Sequence, residues 1–125
     1  MEAIFEAARA CRLCAAVRPG SAVLGPANGP VPAEILFIGE APGRLGAGRT
    51  GVPFAGDESG KRFDRLLLET GLDRAAVFVT NALLCLPTGS TAINRRPTRA
   101  ELAACAPFLA ATIEAVQPRV VATLG

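Results

Sequence analysis

The sequence predicts an α/β protein of three layers, in which helices cover both faces of a central, mostly parallel sheet. Short apolar runs of strand length alternate with longer stretches of helical periodicity, and loops rich in glycine and proline separate them. The resulting order of strand, helix, strand, helix and strand is typical of parallel sheets. With 125 residues, half of them hydrophobic, the chain suits a single domain over residues 1–125.

The first half of the chain is expected to contain one helix and one strand. Residues 2–9 have the pattern of a short helix, and 18–33 hold enough glycine and proline to predict an ordered loop. Residues 34–38 form an apolar run after a proline, which indicates a buried strand. A long loop is predicted over 39–57.

The next elements are a helix and a strand. Residues 59–70 are predicted to be helical, and Gly71 ends the helix. The side chains at helical spacing are Phe63, Leu66, Leu67 and Thr70. A second strand is expected over 76–80 with Asn81 at its end, and a loop follows over 84–97.

Thr98 is expected to begin the last helix, because Glu101 follows it at the spacing of a capping box. The predicted apolar stripe of this helix comprises Leu102, Ala106, Leu109, Ile113 and Val116. A third strand is predicted over 119–124, where the sequence stops. We therefore expect the front part of a larger domain, or a domain truncated after its third strand; the alternative is a complete three-stranded domain.

The composition restricts the possible functions. The net charge of +2 is too small to indicate nucleic-acid binding, and the predominance of arginine among the basic residues also fits a G+C-rich genome. The absence of histidine removes the commonest general base and metal ligand. No apolar run reaches about 18 residues and the N-terminus lacks the basic region of a secretory signal, so a cytoplasmic protein without a membrane span is expected.

Four cysteines form one candidate site. Cys11 and Cys14 make a C-x-x-C pair, and Cys85 and Cys105 flank the loop that leads into the last helix. Four thiolates without histidine suit a structural zinc ion or an iron–sulfur cluster. Disulfides are disfavoured in a reducing cytosol, and a merely buried Cys105 is the remaining alternative.

The most informative stretch begins with Gly39-Glu40-Ala41-Pro42-Gly43 and continues over residues 49–57. It fits neither a dinucleotide-binding glycine fingerprint nor a P-loop, because the residues that would have to follow the glycines are wrong for both. Glu40 and Asn81 each follow a predicted strand. Ligands of parallel sheets bind at these carboxyl ends, so we expect a site there.

These motifs resemble those of the iron–sulfur uracil-DNA glycosylases of families 4 and 5. The first family motif is roughly G-E-x-P-G, a spacer and T-G-x-P-F-x-G, which residues 39–43 and 50–56 match. The C-x-x-C pair matches two cluster ligands, 79–81 matches the second strand, and Cys85 and Cys105 fall at the other ligand positions. The resemblance runs from Cys11 to Gly125. It implies the uracil-DNA glycosylase fold, a [4Fe–4S] cluster with zinc as runner-up, and excision of uracil from DNA in base-excision repair.

The resemblance also implies roles for individual residues. Phe54 would stack on the flipped base, Asn81 would read its Watson–Crick edge, and Glu40, or alternatively Asp57, would handle the charge on the sugar or the attacking water. The substrate pocket would include Gly39, Ala41, Pro42 and Gly43. Weaker phosphate contacts are expected at Arg44, Arg49, Arg95 and Arg96.

Each role has a simpler alternative. Asn81 could form an Asx turn, and Phe54 could belong to the core. Glu40 could be solvated or cap a helix, and the pair of Arg95 and Arg96 could be solvated. The motif context favours function for the first three and does so only slightly for the arginine pair.

Two departures from the family pattern matter. Residues 44–51 look more like family 5, whereas Glu40 looks more like family 4. The family's later motif contains His-Pro-Ser, and this sequence has no histidine. The chain alone, expected as a monomer, should therefore be weak or inactive, or be completed by a partner or a missing C-terminal segment. An inactive nucleic-acid-binding remnant and a small iron–sulfur electron carrier are the alternative functions.

Overall fold

The computed structural model of the protein describes residues 1–15, 17, 18, 20–87 and 95–125. Its centre is a three-stranded sheet in the order β2–β1–β3, with both pairings parallel. The strands are β1 (Ile35–Gly39), β2 (Phe78–Asn81) and β3 (Val120–Thr123). The predicted parallel sheet is therefore confirmed, with strand bounds shifted by one or two residues.

Four helices surround the sheet among the described residues. They are α1 (Glu2–Ala10), α2 (Ala47–Thr50), α3 (Glu58–Thr70) and α4 (Arg99–Val116). The three long helices were expected, but α2 was not. It lies inside the predicted 39–57 loop, between Gly46 and a left-handed Gly51, and a single turn is too short to show apolar periodicity.

The two faces of the sheet have separate apolar cores. Leu36 and Phe78 lie in one core with Val116 of α4 and with residues of α1. Val79 of β2 and Val77, which directly precedes the strand, lie in the other core with side chains of α3. Because successive strand residues point to opposite faces, this alternation gives the three predicted layers.

α3 begins and ends at residues with clear capping chemistry. The Asp57 carboxylate accepts a hydrogen bond from the Gly60 amide at 2.9 Å, and Gly71 ends the helix in the left-handed conformation. The predicted stop at Gly71 is confirmed. The predicted stripe is only half right, since Phe63 and Leu67 are buried whereas Leu66 is 51% exposed.

The capping box at the start of α4 is confirmed, but the predicted stripe of that helix is only partly right, since Val116 is buried and Ala106 is not. The buried residues of α4 are Glu101, Cys105, Thr112 and Val116. Ala106 is exposed, while Leu102 and Ile113 only border the core. Polar groups occupy the buried face because each has a partner: Glu101 pairs with Arg95, and the Thr112 hydroxyl donates to the Phe108 carbonyl.

Part of the predicted 84–97 loop, residues 88–94, lies outside the described residues. Before it, Pro87 forms an isolated antiparallel bridge with Val17, which links the loop to the segment after the C-x-x-C pair. Over the described ranges, no helix is both long and apolar enough to cross a membrane.

Candidate functional site

A cavity of about 290 Å³ lies where the three strands end. Glu40 follows β1, Asn81 ends β2 and Leu124 follows β3, so the parallel topology alone brings these residues to one edge. The predicted site residues that line the cavity are Glu40, Ala41, Pro42, Gly43, Phe54, Asp57, Asn81 and Arg95. Leu124 was missed, although its position after a strand was a usable signal.

Asn81 is the most unusual polar group of this cavity. The residue is only 2% exposed, and its Oδ1 is buried without a hydrogen-bond partner among the described residues. An orphaned buried acceptor costs about 1–3 kcal/mol, so such a group is retained where a ligand can satisfy it. This arrangement does not fit an Asx turn, in which the side-chain oxygen would have a backbone donor.

Phe54 forms one wall of the cavity in a constrained conformation. Its φ is +53°, a left-handed value that is uncommon for a residue other than glycine. The ring packs against Phe63 with centroids 5.1 Å apart and interplanar angle 39°. Phe54 therefore packs against the core beside α3 and also lines the cavity.

Gly39 lies directly against the side chains of Phe54 and Asn81. A Cβ built on Gly39 would collide with the Asn81 Oδ1 and would lie 2.7 Å from Phe54 Cζ. Gly39 is also the register partner of Asn81 in the sheet. The glycine is therefore needed for close approach of the two side chains, rather than for a special backbone angle.

The two candidate carboxylates have different surroundings. Glu40 is half exposed, and its Oε2 is 3.2 Å from Nη2 of Arg96. Asp57 is half buried, and its Oδ1 already accepts the Gly60 amide as the cap of α3. Glu40 therefore pairs with a surface side chain, whereas the Asp57 carboxylate is held by its hydrogen bond to the first turn of α3.

Arg95 and Glu101 form a buried ion pair that the sequence did not reveal. Both guanidinium Nη atoms donate to the two carboxylate oxygens at 2.8 Å, and the Glu101 side chain is 7% exposed. The hydrogen bonds from Arg95 lower the pKa of Glu101 to about 2. The capping box identified Glu101 from sequence, but nothing in the spacing indicated its second partner.

The other two predicted phosphate-binding arginines lie outside the cavity. Arg44 and Arg49 are exposed on the loop after β1 and on α2. Among the described residues, Arg95 is the one arginine that lines the cavity. Of the four arginines, Arg95 therefore lines the cavity and Arg96 pairs with Glu40, while Arg44 and Arg49 lie on the surface.

The four cysteines line a second cavity, of about 260 Å³, next to the end of α1. All four are free thiols. Burial raises the pKa values of Cys14, Cys85 and Cys105, and the neighbouring cysteines add to this in each case. Apolar side chains complete the wall, among them Leu13, Val17, Leu84 and Phe108.

The spacing of the thiols bears on what this cysteine pocket can hold. Within the part of the chain that the structure describes, no three His, Cys, Asp or Glu residues approach closely enough to hold one metal ion. A tetrahedral zinc site would bring its sulfur atoms to within about 4 Å of one another, since each Zn–S bond is about 2.3 Å.

Comparison with known proteins agrees with this fold. The family model of the uracil DNA glycosylase superfamily matches residues 26–125. The chain therefore belongs to the uracil-DNA glycosylase superfamily, which confirms the resemblance drawn from the motifs.

Individual relatives include both types suggested by the mixed motif. A type-4 uracil-DNA glycosylase of Saccharolobus solfataricus is 44% identical over 80% of this chain and 44% of its own length. A type-4 enzyme of Thermotoga maritima is 36% identical over the whole chain and 62% of its length. A type-5 enzyme of Thermus thermophilus is 34% identical over 84% of this chain and 58% of its length. The chain thus spans about half the length of these curated relatives.

Proposed function

We propose that this chain carries the base-recognition half of a uracil-DNA glycosylase, which hydrolyses the N-glycosidic bond of deoxyuridine in DNA during base-excision repair. The observation that carries the proposal is the buried, unpartnered Oδ1 of Asn81 in a cavity walled by Phe54 and Glu40. Three relatives bear the names of such enzymes, and the chain is a member of their superfamily.

Uracil suits this cavity by its hydrogen-bonding pattern. Its N3–H can donate to the Asn81 Oδ1, and its O4 can accept from the Asn81 amide nitrogen. Cytosine presents a bare N3 and an amine at these positions, so the same amide orientation rejects it. Phe54 supplies the stacking face that a base loses when it leaves the duplex.

Glu40 is our candidate for the carboxylate that faces the reacting sugar. Positive charge develops on the sugar as the N-glycosidic bond breaks. A nearby carboxylate can stabilise this charge, or it can direct a water molecule to the sugar. Glu40 lines the cavity, and its side-chain partner among the described residues is the exposed Arg96. Asp57 is the second candidate, although its role as helix cap restrains its carboxylate.

The proposed partner is DNA that contains uracil, bound in the cytoplasm by a monomer. The proposal leaves room for a completing segment or partner, since the chain spans about half the length of its relatives. Phosphate contacts are assigned to the exposed arginines near the cavity, of which Arg44, Arg49 and Arg96 are the candidates. A reducing compartment would also keep the four cysteines as thiols.

We assign a [4Fe–4S] cluster to the cysteine pocket, with a structural zinc ion as the runner-up. Cys11, Cys14, Cys85 and Cys105 would hold it, and its chemistry there would be structural. The pocket would join three parts of the chain: the segment after α1, the loop after β2 and helix α4. Ligand bonds across these segments would add to the folding free energy of a small chain.

The cluster assignment predicts a coloured protein. Anaerobically purified chain should absorb broadly near ~400 nm and contain about four irons and four sulfides. Cys105→Ser should lose most of the iron, whereas Ala106→Ser, an exposed neighbour on the same helix, should keep it. One zinc ion per chain with no iron would instead establish the runner-up.

The proposed activity is tested on two single-stranded oligonucleotides that differ in one base, uracil or thymine. Because the sequence contains no histidine, we expect slow release of free uracil, tighter binding of the uracil strand, and loss of both in Asn81→Ala. Equal binding of both strands without uracil release would refute the proposal and favour the inactive DNA-binding remnant. Rapid turnover would contradict the expectation that the missing histidine limits the rate.

A further inference from the structure

Arg95 and Arg96 are neighbours in sequence, and each pairs with a glutamate, but the two ion pairs differ in their exposure to solvent. Arg95 makes a two-bond ion pair with Glu101, whose side chain is 7% exposed. Arg96 makes a single contact of 3.2 Å with Glu40, and the two side chains are 89% and 49% exposed. The first pair is partly buried, with the Arg95 side chain 27% exposed, whereas the second is open to solvent.

These surroundings determine which arginine can exchange its partner. Withdrawing Arg95 would leave the buried Glu101 carboxylate unpaired, which is strongly destabilising. An exposed pair such as that of Arg96 contributes only about 0–1 kcal/mol. A DNA phosphate can replace the Glu40 carboxylate as a hydrogen-bond acceptor of a guanidinium at little cost.

We propose that Arg96 exchanges Glu40 for a backbone phosphate when DNA binds, while Arg95 stays paired with Glu101 and holds the segment that carries Arg96 in place. The exchange releases the Glu40 carboxylate at the cavity only when a strand is present. This inference rests on the proposed function, because it takes the ligand of the cavity to be part of a DNA strand.

The Arg95 anchor is well placed for that task. Glu101 also accepts the Thr98 amide at 2.8 Å, so the carboxylate links Arg95 to the first turn of α4. Arg95 Nη1 additionally donates to the Arg96 carbonyl at 3.1 Å. The backbone of Arg96 is thus restrained directly by the side chain of its neighbour, while its own side chain remains exposed.

The salt dependence of DNA binding tests the exchange. The ligand is a thymine-only, single-stranded 12-mer, so uracil recognition plays no part. Arg96→Gln should reduce the slope of log affinity against log salt by about 0.7, the value for one phosphate contact on a single strand. The control is Arg119→Gln, which breaks another exposed pair, with Glu34 at the amino end of the sheet, and should leave the slope unchanged.

A double-mutant cycle tests whether Glu40 is the partner that Arg96 leaves. Glu40→Gln should tighten binding of the 12-mer by up to about fivefold, since an exposed pair contributes at most about 1 kcal/mol. If the pair breaks on binding, this gain is larger with Arg96 present than in the Arg96→Gln background. If the pair persists unchanged in the complex, the effect of Glu40→Gln is the same in both backgrounds and the exchange is refuted.

The outcomes separate this inference from the proposed function. Binding of the 12-mer with an Arg96→Gln slope equal to that of the unmodified chain refutes the exchange alone. No binding by the unmodified chain at any salt concentration overturns both. Far-UV circular dichroism of each variant shows whether the fold is retained before the slopes are compared.

Discussion

Replacing Gly39 with alanine is expected to abolish the preference for uracil-containing DNA. The new methyl group would overlap the Asn81 Oδ1 and would lie 2.7 Å from Phe54 Cζ, so the base and both of its contacts cannot be accommodated together. Displacing Asn81 and Phe54, the proposed recognition groups, should weaken binding of a uracil strand tenfold or more, equivalent to about 1.4 kcal/mol. Overpacking should also lower the free energy of unfolding by about 1–3 kcal/mol.

The matched control for Gly39→Ala is Gly25→Ala. Gly25 has extended backbone, and an added Cβ would meet only the flexible end of Arg9 at 3.5 Å. Its variant should keep uracil preference and nearly all of the stability. The measurement is fluorescence anisotropy with uracil and thymine oligonucleotides, combined with thermal unfolding. Unchanged preference in a folded Gly39→Ala protein would mean that this cavity does not hold the base.

Glu101→Gln is expected to cause the largest loss of stability among single substitutions at the site. The glutamine amide keeps an acceptor for the Thr98 amide but leaves the Arg95 guanidinium, 27% exposed, without its counter-charge. Breaking a buried pair in this way costs about 3 kcal/mol. In a domain of this size the melting temperature should fall by roughly 10 °C.

The same substitution should change how stability depends on pH. The folded-state pKa of Glu101, about 2, lies below its ordinary value of 4.5 because Arg95 donates two hydrogen bonds to the carboxylate. A lowered pKa means that the stabilisation is fully present above about pH 4.5 and is lost as the pH falls toward 2. The Glu101→Gln protein should lose less stability over this acidic interval than the unmodified chain.

Glu58→Gln provides the control for both effects. Glu58 also lies in the first turn of a helix and pairs with a cation, Lys61, but its side chain is 92% exposed. Its substitution should change the free energy of unfolding by no more than about 0.5 kcal/mol. Urea denaturation at several pH values compares the free energies of unfolding of the unmodified chain, Glu101→Gln and Glu58→Gln. Equal losses for the two glutamates would show that the Arg95–Glu101 pair is not a stabilising element.

Much of the fold could be predicted from residue order because it depends on local chemistry. The apolar runs around Leu36 and Phe78, the capping box of Thr98 and Glu101, and the stop at Gly71 each act over a few neighbouring residues. The placement of Glu40 and Asn81 at one edge also followed, since the carboxyl ends of parallel strands coincide.

What the residue order could not provide are the contacts between distant segments. The buried face of α4 was predicted only in part: Val116 is buried as expected, but the burial of Glu101 depends on its ion pair with Arg95, which lies before the helix. The left-handed backbone of Phe54 and the pairing of Arg96 with Glu40 across 56 positions of sequence have the same origin. Interactions within a helical turn or a strand depend on residues that are close in sequence. The partner of a buried polar group, by contrast, depends on how the layers pack.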